Sequence, residues 1–131
     1  MNKMQIKKVV VILAHGLVGW ALCGAIMWVG MAVTSMENTL IIHAIGAPII
    51  FGVISAIYFK AFNFTTPLRT AIVFVSVVVF MDVFLVALLI EKSFEMFASL
   101  LGTWIPFLLI FFSTFLTGVF YTRRSRKIAA V

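Results

Sequence analysis

Hydrophobic residues gather into four long runs along this chain, Val9 to Val33, Leu40 to Phe59, Leu68 to Ile90 and Phe97 to Tyr121, separated by short polar stretches. Each run reaches the ~20 residues that a helix needs to cross a hydrocarbon layer ~30 Å thick. Lipid offers no partner to free backbone groups, so the spans must be helical; a barrel would need shorter, alternating segments. The pattern predicts an all-α integral membrane protein, residues 1–131 forming one transmembrane domain with spans at about 9–33, 40–59, 68–90 and 97–121. The first run resembles a secretory leader in having Lys3, Lys7 and Lys8 before it. It exceeds the ~7 to 15 residues of a leader's apolar region and lacks an A-x-A cleavage site, which makes it a retained span.

The polar stretches are Thr34 to Thr39, Lys60 to Pro67 and Glu91 to Met96. Connections this short predict that consecutive spans are antiparallel neighbours in an up-down-up-down bundle. Thr65-Thr66-Pro67 is a helix-start signal, with Thr66 as the cap and Pro67 in the first helical position. Trp28, Trp104, Tyr58 and Tyr121 fall near span ends and fit an aromatic belt. Pro48 and Pro106 are each followed seven residues later by serine, Ser55 and Ser113. That spacing suits a duplicated hairpin, but chance is the simpler account. Each proline frees a carbonyl one turn earlier, which hydroxyls or water commonly repair.

Composition sharpens the class: 64% hydrophobic and 11% charged residues exclude an ordinary soluble domain. Nine of the ten basic residues lie on one side of the predicted bundle, Lys3, Lys7, Lys8, Lys60, Arg69, Arg123, Arg124, Arg126 and Lys127, and only Lys92 lies on the other. The positive-inside tendency then puts both termini in the cytoplasm, and a plasma (inner) membrane is the default location. The net charge of +6 is a membrane-edge feature and predicts lipid headgroups, not nucleic acid, as its partners. Cys23 is the single cysteine, which excludes an intramolecular disulfide or dithiol mechanism. With no P-loop, H-E-x-x-H, G-x-S-x-G or CxxC motif and only short loops, an ATP-driven or hydrolytic enzyme is not expected, and no cofactor is predicted.

Asp82 is the foremost candidate for chemistry. It sits inside the third run among Val78, Val79, Met81, Val83 and Phe84, about eight residues or ~12 Å of rise from the outer end. A carboxylate there costs roughly 2.5 to 3.5 kcal/mol on insertion scales and must face the bundle interior, a hydrated cavity or a partner. The functional reading is a proton or cation site; the plain one is a structural polar contact. His43 and Thr103 fall in the same outer-half layer, so an Asp82–His43 pair is the expected relay, against an interfacial histidine as the alternative.

His15, Gly19, Cys23 and Gly30 share one face of the first helix, where small residues allow another helix to approach. The fourth span carries Ser113, Thr117 and Tyr121 on one stripe, either lining a hydrated path or, more commonly for such residues, packing helices. Ala44, Pro48, Gly52 and Ser55 make a comparable face on the second. Met27, Met31, Met36, Met81 and Met96 lie toward the outer side with His43. A soft-metal site at His43, Met27 and Met31 is the remote alternative to apolar filler. His15 and His43 lie at opposite depths, which disfavours one haem between them. Glu37, Glu91 and Glu95 either gather cations at an outer mouth or are solvated loop charges.

In length the chain is similar to the small multidrug resistance transporters, which are four-span dimers with an essential glutamate in the first span. No acidic residue stands in the first span here, and the basic asymmetry argues against dual topology. The leading expectation is a transporter or channel-like homo-oligomer for protons, cations or a small solute, built around Asp82. The alternatives are a non-catalytic accessory subunit among other membrane subunits, and a haem- or quinone-linked redox protein.

Overall fold

The computed structural model describes residues 2–90, 92, 98 and 100–130. Four helices are long and apolar enough to cross a membrane. The first, α1, spans Lys3–Val33 and starts in a capping box: Asn2 Oδ1 accepts the Gln5 amide at 2.9 Å, and Gln5 Oε1 accepts the Asn2 amide at 3.2 Å. The second, α2, spans Met36–Ala61. Its cap is Ser35, whose hydroxyl oxygen accepts the Asn38 amide, so the first connection shrinks from the expected six residues to Thr34 and Ser35.

The end of α2 is set by Asn63 at φ 50°, which donates its amide to the Tyr58 carbonyl. Asparagine tolerates this left-handed conformation and here takes the place usual for glycine. The third helix, α3, runs over Pro67–Met81 with Thr66 capping and Pro67 first, as the sequence signal predicts. From Asp82 to Ile90 the chain continues as a wider π-helix. A π-helical turn over Leu100–Trp104 leads into α4, Ile105–Ala130. Pro106 cannot donate to the carbonyl four residues before it, and the irregular turn lies on that side. Glu91, Glu95, Met96 and Phe97 lie outside the described residues.

The helices make a bundle in which α1 packs on α2 and α3, and α4 on α2 and α3. One expectation fails here: α2 and α3, consecutive in the chain, are not adjacent but face each other across the diagonal. A short connection fixes only where one helix ends and the next begins. Side-chain size decides the neighbours. Gly19 brings α1 onto the Phe51 ring, Gly16 brings it against Val77 of α3, and Gly30 meets Thr39. On the opposite side Gly52 meets Ser113, and Gly118 lies against Phe59 and Pro67.

The centre is filled from the diagonal by rings. Phe51 and Phe74 are 5.9 Å apart, Tyr58 and Phe74 6.1 Å, and all three are fully buried. Inside a bilayer the alternative to protein contact is lipid tail, so this fit stabilises through dispersion and close approach rather than through loss of water. The outer surface is the reverse of a soluble protein's. Ile45, Ile49, Val53 and Ile57 form an exposed stripe down α2, each more than half accessible, and Trp28 is 80% exposed. An apolar face of that extent belongs against lipid or another membrane protein.

Candidate functional site

The contact between Gly16 and Val77 draws α1 and α3 together, and one turn further along each helix the polar pair of the bundle appears. Trp20 donates its indole Nε1–H to Asp82 Oδ1 at 2.9 Å. Both side chains are half-buried. A tryptophan can only donate and an ionised aspartate can only accept, so the bond runs from the indole to the carboxylate. Cys23, buried one turn beyond Trp20, lies within electrostatic range of the same carboxylate.

Asp82 also marks the backbone transition. Its amide is shared between the carbonyls of Val78 and Val79, and the π-helix starts at this residue. Such widened turns leave the regular hydrogen-bond ladder and are frequent at functional sites. The carboxylate therefore stands at the seam between a regular helix and an irregular one, held from the neighbouring helix.

Trp20 is the functional residue that the sequence reading lacks. Asp82 was expected to pair with His43; a bond that the structure displays comes from Trp20 of α1. His43 is half-buried, and its Nδ1 has no hydrogen-bond partner among the described residues. Thr103 is buried in the Leu100–Trp104 turn, which packs on α2, the helix carrying His43. Met27 is half-buried and Met31 exposed. Among the described residues no three His, Cys, Asp or Glu side chains are grouped to hold a metal ion.

Gly19, Cys23 and Gly30 are buried against the bundle. His15 has a separate environment: its Nδ1–H donates to the Val11 carbonyl at 2.7 Å, and its ring meets the edges of Tyr58 and Phe62 at 5.5 and 5.4 Å. Because a carbonyl only accepts, Nδ1 carries the proton in this bond.

Tyr58 needs a correction. It was assigned to the aromatic belt, yet it is fully buried, with its hydroxyl 2.8 Å from Thr65 Oγ1. Thr65 in turn lies 2.6 Å from Thr70 Oγ1, and Thr70 donates to the Thr66 carbonyl at 2.8 Å. Since Thr70 has one proton and the carbonyl takes it, Thr65 must donate to Thr70 and Tyr58 to Thr65. The chain of hydroxyls ties α2 to the start of α3 and has one direction.

On α4, Ser113 donates to the Pro48 carbonyl at 2.6 Å, across to α2, and Thr117 donates to the Ser113 carbonyl at 2.7 Å. Tyr121 is half-buried against the core. The Ser113 proton thus ties α4 to α2, while the Thr117 proton returns to the backbone of its own helix. The chain matches no family, no curated protein and no solved structure.

Proposed function

We propose that this chain is a small plasma-membrane protein that moves protons or small cations as a parallel homo-oligomer, with Asp82 as the group that binds and releases them. One observation carries the reading: a carboxylate inside a membrane-spanning helix, held by Trp20 at the first residue of a π-helical turn. An intramembrane ionisable group is expensive to keep, and the usual reason is an ion or proton pathway. The bundle centre is occupied by Phe51, Tyr58 and Phe74, so the path runs between protomers rather than down the middle of one.

The topology proposed with it is up-down-up-down with both termini in the cytoplasm. Its supports are the basic asymmetry and the contact pairs: Gly30 with Thr39 and Gly19 with Phe51 suit α1 antiparallel to α2, while Gly16 with Val77 and Trp20 with Asp82 suit α1 parallel to α3. With nine of the ten basic residues on one side, copies of the chain assemble in the same orientation.

A second reading, an accessory subunit of a larger membrane complex, draws on the hydroxyl of Ser113, which is engaged in tying α4 to α2. Native mass spectrometry of the protein gently extracted from its own membrane separates the two. A homo-oligomer free of other chains is the expected result. A stoichiometric assembly with foreign subunits makes Asp82 a helix contact and sinks the transport reading.

A further inference from the structure

A groove of about 270 Å³ opens between the start of α3 and the end of α4. Its apolar wall is Pro67, Leu68, Phe115 and Val119, and Thr66 and Arg123 stand on its polar rim. Arg69 is exposed one turn into α3. This end of the bundle also carries Lys3, Lys7, Lys8 and Lys60, and Arg124, Arg126 and Lys127 follow Arg123 in sequence. All four acidic residues, Glu37, Asp82, Glu91 and Glu95, fall elsewhere along the chain. Among the described residues no acidic side chain lies at this end to balance the positive charge.

We infer that this groove holds an anionic glycerophospholipid of the leaflet on the basic side, its phosphate at Arg123 and one acyl chain along Phe115 and Val119. The two halves of the groove select that ligand. A guanidinium gives a phosphate paired, directed hydrogen bonds, and anionic headgroups are attracted by the surrounding lysines and arginines. A soluble phosphate ion would leave the apolar wall uncovered. A second copy of the chain would cover the apolar wall but supply no anion for Arg123.

The test is native mass spectrometry of the full chain in a non-ionic detergent, titrated with phosphatidylglycerol or with phosphatidylcholine of the same acyl chains. Phosphatidylglycerol is expected to be retained at lower concentration. Arg123→Gln should weaken its retention about fivefold, the worth of one basic residue near an anionic headgroup. Arg123→Lys should recover part of that loss, and Val119→Trp, which fills the apolar half, should weaken both lipids. Lys7→Gln, on a helix that does not line the groove, should change neither, and circular dichroism should show every variant helical. Equal retention of the two lipids would overturn the assignment. So would a loss in Lys7→Gln as large as in Arg123→Gln, which would mean diffuse charge alone, or displacement of the lipid by inorganic phosphate, which would mean a soluble-anion site.

Discussion

Asp82→Asn is expected to reduce proton or cation flux in proteoliposomes to the level of protein-free vesicles while leaving the folded bundle intact. The substitution is nearly isosteric. Asparagine keeps a side-chain oxygen that accepts the Trp20 indole proton, so the link between α1 and α3 survives. What disappears is the charge and the ability to take up and release a proton. Trp20→Phe works in the opposite way: it keeps the carboxylate and removes the donor that orients it. Flux in that variant should fall without vanishing. Were Asp82→Asn to transport like wild type, the carboxylate would be a packing contact and nothing more.

The second large effect is on folding. Gly19→Leu should destabilise the bundle by about 3 kcal/mol or more, the upper part of the range for an overpacked core. Even a single added carbon at Gly19 would stand 2.5 Å from the Phe51 ring. That ring is fully buried and packed on Phe74, so it has nowhere to go. Gly24→Leu is the matched control. An added carbon at Gly24 meets nothing within 4 Å, and the side chain would project from the exposed side of α1. Thermal unfolding in detergent should show a marked drop for Gly19→Leu and little change for Gly24→Leu; equal effects would mean that the α1–α2 contact is not what holds these helices together.

Much of the architecture was legible in the chain because span length and apolarity are local properties. The Thr66-Pro67 start is local too, and it is found where the sequence puts it. The Ser35 cap is equally local, but the hydropathy of the second run begins only at Leu40, so the boundary was set too late. Which helices touch is not a local property. The diagonal placement of α2 and α3 depends on glycines at Gly16, Gly19 and Gly118 meeting particular partners, while large rings from Phe51, Tyr58 and Phe74 fill the middle.

Asp82 was visible as an expense that membrane helices rarely carry, whereas its partner was not. Trp20 reads as one more apolar aromatic in a long run. A signal for it was nonetheless available: an indole N–H in mid-span needs an acceptor, and Asp82 is the one acidic residue inside the four apolar runs. His43 was the expected partner because imidazole and carboxylate are a familiar pair. Tyr58 was misplaced for a similar reason. Its position near a span end suits an interface, but its hydroxyl finds Thr65 and the ring turns inward.

The most direct measurement is the dissipation of an imposed pH gradient, with and without a membrane potential, by the purified wild-type chain in liposomes that contain no other protein. The account predicts gradient collapse, or cation uptake coupled to it, in proportion to the protein reconstituted. Vesicles that hold their gradient as well as empty ones, with the chain shown to be inserted and helical, and that take up no cation, would contradict the claim that this protein is itself a pathway.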